Sequence, residues 1–96
     1  MSPNKKKKLN KLRKSLDNID KQLIKIIKKR TKVIDNVIKI KEFKNQIVDK
    51  KRIKVILNKI KKLSIKNKID PKVTNKIWKN MIWSYIDYER RNFKKK

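Results

Sequence analysis

The chain has 96 residues, no cysteine, histidine or glycine, and a formal net charge of +25. Without cysteine and histidine it has no disulfides, no thiol chemistry, no Cys/His metal or haem ligation and no Ser–His or Cys–His nucleophile pair. Any chemistry must come from carboxylates, amines, guanidiniums and hydroxyls, and the expectation is that no cofactor and no metal takes part.

Hydrophobic residues make up 36% of the chain and charged residues 43%, so the core must be narrow. The only prolines are Pro3 and Pro71. So little turn punctuation disfavours β-rich folds and predicts an all-α chain. Residues 1–8, with the run Lys5–Lys8, read as a basic disordered tail. Residues 9–93 read as one helical domain and 94–96 as a basic C-terminal tail. No apolar segment follows the basic start and no apolar run is long enough to cross a membrane, so the expected location is the cytoplasm.

The first predicted helix runs from about Asn10 to Glu42. Leu12, Leu16, Ile19, Leu23, Ile26, Arg30, Val33, Val37 and Ile40 recur at steps of four and three, an apolar seam that only Arg30 interrupts. Such a helix is roughly 50 Å long, whereas a compact domain of this size is about 30 Å across. One chain cannot cover that rod, which predicts an obligate dimer. Phe43 to Val48 breaks the pattern. Asp49 then reads as the N-cap of a second helix over Lys50 to Lys66, with Ile53, Ile56, Leu57, Ile60 and Leu63 on its apolar face. Ile69-Asp70-Pro71 supplies an apolar staple, a capping carboxylate and a proline at the first helical position. The third helix continues to about Phe93 through Val73, Ile77, Trp78, Met81, Ile82, Tyr85, Ile86 and Tyr88. The plan is a long, a short and a medium helix.

The charge suggests nucleic-acid binding by counterion release. Yet lysine, isoleucine and asparagine, all encoded by A/T-rich codons, supply 54 of the 96 residues. Coding bias is the preferred account of the lysines, and a lysine-rich nucleic-acid-binding helix bundle is the reading from another class. Arginine is the scarcer cation, at positions 13, 30, 52, 90 and 91. Its planar fork holds a carboxylate or phosphate bidentately, which lysine cannot do. Arg30 and Lys41, eleven positions apart, share a helix face. Arg13 is rotated by about 100° and displaced some 25 Å from Arg30, so it joins that face only from a second chain. On the seam, Arg30 requires a ligand or a salt bridge to Asp20, Asp49 or Glu89. Trp78, Ile82, Tyr85 and Glu89 follow steps of four, three and four, which makes Glu89 an interior carboxylate that either pairs with a cation or stays protonated. Trp78 reads as core.

The ordered set Leu12-Arg13, Ile19-Asp20 with Leu23, Lys29-Arg30, Lys41, Asp49 to Arg52, Ile69-Asp70-Pro71 and Glu89 resembles the all-α chorismate mutases, a family that also contains isochorismate–pyruvate lyases. The resemblance spans residues 9 to 93 and implies an intertwined homodimer of three-helix chains acting on a small dianionic substrate. It implies that Arg13 crosses from the partner chain and, with Arg30, clamps the substrate carboxylates. Lys41 and Glu89 would then meet the ether oxygen of the breaking bond. Asp49 would lie near the ring hydroxyl, Arg52 would support the anion site and Tyr85 would form a wall. Mutases of the family often carry glutamine where Glu89 stands. A glutamate donates only when protonated, so the expected rate falls as pH rises. Ile53, where mutases commonly have glutamate, and the aromatic set Trp83, Tyr85, Tyr88 and Phe93 look lyase-like, whereas Asp49 favours a mutase. The leading expectation is rearrangement of chorismate to prephenate. The alternatives are an isochorismate–pyruvate lyase or a mutase of an amino analogue of chorismate.

Overall fold

The computed structural model describes residues 1–94, and Lys95 and Lys96 of the expected C-terminal tail lie outside them. Three α-helices appear in order: α1 (Pro3–Ile40), α2 (Lys50–Lys66) and α3 (Pro71–Asn92), with a 3₁₀ turn at Lys44–Gln46 between the first two. The fold class is all-α, and none of the described residues lies in a β-strand. No helix among them is long and apolar enough to cross a membrane.

α1 begins earlier than expected, and Lys5–Lys8 lies inside it rather than in a disordered tail. Local chemistry accounts for the correction. The Lys5 amide donates to Ser2 Oγ at 3.3 Å and the Lys6 amide to the Ser2 carbonyl at 2.9 Å. Ser2 is thus an N-cap, Pro3 occupies the first helical position, and lysine is a good helix former. At its other end α1 stops at Ile40, and the Lys41 amide still donates to Val37 O at 3.1 Å.

The described chain divides into two compact units, residues 1–33 and residues from 34 onward. The first is the amino-terminal part of α1. Its seam residues Leu12, Leu16, Ile19, Leu23, Ile26 and Val33 are between 48% and 64% exposed. Nothing within that unit covers them.

The second unit carries the core. Ile38 from the end of α1, Ile47 from the connection, and Ile82, Ile86 and Phe93 are buried together. Ile34, Val48, Ile53, Ile56, Leu57 and Tyr88 pack around them. α2 and α3 lie against each other, tied by a buried hydrogen bond of 2.7 Å between the hydroxyls of Ser64 and Thr74. Ser64 Oγ also lies 2.6 Å from Ile60 O and Thr74 Oγ1 3.3 Å from Pro71 O, so the two hydroxyl protons are shared among three contacts. Trp78 is half-buried rather than central, and Leu63, Val73 and Ile77 from the expected apolar faces are about half exposed.

Both predicted caps form. Asp49 accepts from the Arg52 amide at 3.0 Å, and Asp70 accepts from the Lys72 amide at 2.9 Å. α2 ends in a Schellman motif: the Lys68 amide donates to Ile65 O at 3.1 Å and the Ile69 amide to Ser64 O at 2.8 Å. That motif requires a left-handed residue, and in a chain without glycine Lys68 takes it, at φ 56°.

Candidate active site

The second unit brings together two of the expected site residues by direct contact. Lys41 follows α1 immediately and projects from its end. Glu89 sits on α3 in the buried row Ile82, Ile86, Glu89, Phe93, where steps of four, three and four keep side chains on one helix face. Lys41 Nζ donates to Glu89 Oε1 at 3.0 Å, with the lysine side chain 21% exposed and the glutamate 7%. An interior carboxylate had two options, a cation partner or a proton, and here it has the cation.

Lys41 Nζ also lies 3.5 Å from the carbonyl of Ile47, at the outer limit of a hydrogen bond. The lysine is therefore held between the third helix and the connection that follows the first. Lys41 and Asp49 line one open depression of about 690 Å³, which Gln46, Val48, Lys50 and Lys51 also border. The carboxylate of Asp49 caps α2, and it is the backbone amide of Arg52, not its exposed side chain, that it meets. Tyr85 is half-buried and meets Tyr88 edge to face, with ring centroids 6.3 Å apart.

The remaining two expected residues belong to the first unit. Arg13 is exposed and Arg30 half-buried. They stand seventeen residues apart on one helix, about 25 Å along its axis, so one chain's α1 does not bring them together. Of the three carboxylates considered as partners for Arg30, Glu89 bonds Lys41 and Asp49 caps α2.

Two contacts near the site carry no sequence signal. Tyr88 donates its hydroxyl proton to Asp35 Oδ1 at 2.6 Å, across 53 positions in sequence. This bond ties the last turns of α1 to α3 one residue before Glu89. It raises the Tyr88 phenol above its ordinary value of 10.0, with burial and the negative charge of Asp35 adding and Arg91 opposing. Arg91 lies 5.9 Å from the Tyr88 ring centroid and pairs with Asp87 at 3.0 Å, a largely exposed pair of little weight for stability. The second contact is made by Gln46. Its Oε1 accepts from the amides of Glu42 at 2.8 Å and Phe43 at 2.9 Å. Phe43 occupies the cap position but has no side-chain acceptor, so the sequence lacks the polar cap residue that would have announced this reach-back.

The unit thus presents a half-buried ammonium, paired with a buried carboxylate, on the wall of an open depression. It can donate hydrogen bonds to an oxygen and stabilise negative charge there without a nucleophile. No curated protein and no solved structure matches the chain significantly. The family described as chorismate mutase type II matches residues 12–90, a span that runs from α1 into the last turn of α3 and contains every expected site residue. This all-α chain belongs to the chorismate mutase type II family.

Proposed function

We propose that the protein is a chorismate mutase, an isomerase that rearranges chorismate to prephenate. The single observation that carries this reading is the 3.0 Å pair of Lys41 and Glu89 beside the depression that Lys41 shares with Asp49. In the rearrangement an ether C–O bond breaks as a C–C bond forms, and the ether oxygen gains negative charge in the transition state. A fixed ammonium aimed at that oxygen stabilises the transition state more than the ground state. A protonated Glu89 adds a second donor. Arg30, together with Arg13 of the partner subunit, clamps the two substrate carboxylates and holds the compact reactive shape. Asp49 faces the ring hydroxyl, Arg52 reinforces the anion site and Tyr85 closes one wall.

This site requires a homodimer, and the exposed seam of α1 supports one. Burying a large aliphatic side chain fully contributes roughly 1.5–3 kcal/mol. Six half-exposed seam residues from each of two chains would therefore contribute on the order of 10 kcal/mol, comparable to the estimated 4–15 kcal/mol cost of association. The expected location is the cytoplasm. Nucleic acid is not the proposed partner, because the lysines follow coding composition.

A second reading within the family is an isochorismate–pyruvate lyase, favoured by Ile53 at the start of α2 and by the aromatic set around Tyr85 and Tyr88. A mutase of an amino analogue of chorismate is the third. Purified protein offered chorismate and isochorismate separately, with products identified, decides among them. Prephenate from chorismate supports the mutase. Salicylate and pyruvate from isochorismate select the lyase. Turnover of neither substrate, nor of the amino analogue, overturns the enzymatic reading in favour of a binding protein whose affinity for nucleic acid falls steeply with salt.

A further inference from the structure

The path between α1 and α2 is nine residues long, Lys41 to Asp49, and contains neither glycine nor proline. Such a connection has no intrinsic reason to adopt one shape, yet it must place Lys41 with the precision that a transition-state contact demands. Three features fix it. The 3₁₀ turn closes through the Gln46 amide donating to Phe43 O at 3.0 Å and the Ile47 amide donating to Lys44 O at 3.1 Å. The Ile47 side chain is anchored in the core, 4% exposed. The side-chain carbonyl of Gln46 takes both the Glu42 and the Phe43 amides, the two backbone donors that directly follow Lys41.

These features meet at one ammonium. The Gln46 carbonyl fixes the backbone leaving Lys41, and the residue after Gln46 offers its carbonyl to Lys41 Nζ at 3.5 Å. On the far side the ammonium is held by Glu89. We propose that Gln46 is a positioning residue: by locking the turn after α1 it sets the place of the Lys41 ammonium. The inference rests on the reading of Lys41 as the cation that meets the substrate. Gln46 is exposed, so its removal empties no core and should not unfold the protein. Only its carbonyl oxygen makes these contacts, which gives the test a conservative variant, because glutamate keeps an acceptor of the same length.

The experiment compares the wild type, Gln46→Ala and Gln46→Glu by two independent readouts. The first needs no substrate: amide hydrogen exchange at Glu42 and Phe43, and the rate at which acetic anhydride modifies Lys41, followed by mass spectrometry. Gln46→Ala is expected to speed exchange at both amides and acylation of Lys41, each by about tenfold, as for a lost local lock. Gln46→Glu should stay within about twofold of wild type. The second readout is turnover: Gln46→Ala should lower kcat by about tenfold with KM within about twofold, and Gln46→Glu should restore it. Faster amide exchange with Lys41 acylation unchanged would make the lock purely structural and overturn the proposal. So would a kcat loss that glutamate fails to restore, or one matched by an equal rise in KM. If the wild type turns over none of the candidate substrates, the proposed function fails, and the acylation experiment still decides whether Gln46 positions Lys41.

Discussion

Glu89→Gln separates the structural from the chemical part of the Lys41–Glu89 pair. At 3.0 Å the two charges attract by about 5–6 kcal/mol gross for an effective dielectric constant near 20. Desolvation costs several kcal/mol per ion, so the net contribution of such a pair is small. Glutamine keeps an acceptor for Lys41 Nζ, and Lys41, 21% exposed, retains access to water. The expected stability loss is therefore about 1 kcal/mol, roughly 4–8 °C in Tm, well short of the ~3–5 kcal/mol that follows when a buried charge loses its partner outright.

The kinetic effect runs the other way. Ionised Glu89 cannot donate to the ether oxygen, whereas its protonated form can. Wild-type kcat should therefore fall as pH rises. A glutamine amide donates at every pH, so the variant should show a flat profile and overtake the wild type on the alkaline side. The assay is loss of the ultraviolet absorption of chorismate across a pH series, with folding checked by circular dichroism at each point. Parallel profiles for wild type and Glu89→Gln would refute the assignment of Glu89 as the donor.

Arg30→Ala should lower kcat/KM by about 10²–10³-fold while the protein stays folded and dimeric, and Arg30→Lys should remain poor because an ammonium lacks the fork. Mixing Arg13→Ala with Arg30→Ala chains after joint unfolding and refolding tests the cross-chain clamp. Heterodimers then own one intact site, and about a quarter of wild-type activity should return; no recovery would place both arginines on the same chain's site. Lys68→Gly should stabilise the protein by about 0.5–1 kcal/mol, since relief of the left-handed strain exceeds the added unfolded-state entropy; chemical denaturation measures it, and a loss of stability would refute that account. Tyr88 should ionise above the ordinary phenol value in an ultraviolet titration, and Tyr88→Phe should delete that phase. The stability linked to this phenol is complete below its unfolded value and is lost as pH rises through the raised folded one.

How much was legible beforehand follows the range of each interaction. The caps at Asp49 and Asp70, the proline at the start of α3 and the bounds of α2 are decided within a few residues, and the structure reproduces them. α1 starts earlier than the charge run alone predicts, because Ser2 and Pro3 provide the cap that lets lysines continue a helix. The periodicity of the seam also predicted an apolar face too long for one chain, and that face is exposed in the first unit.

The sequence by itself therefore determined the helices, their order, the caps of α2 and α3 and the candidate residues, because periodicity and capping act over one or two turns. Tertiary structure alone decided which groups meet. Spacing left Glu89 either a cation or a proton, and packing of α3 against the end of α1 supplies Lys41. The Tyr88–Asp35 bond joins residues 53 positions apart, and the Gln46 lock depends on a turn of the chain that no helical or strand period encodes. Contacts of that kind arise only when buried side chains such as Ile38, Ile47 and Ile86 fix the helix ends against one another.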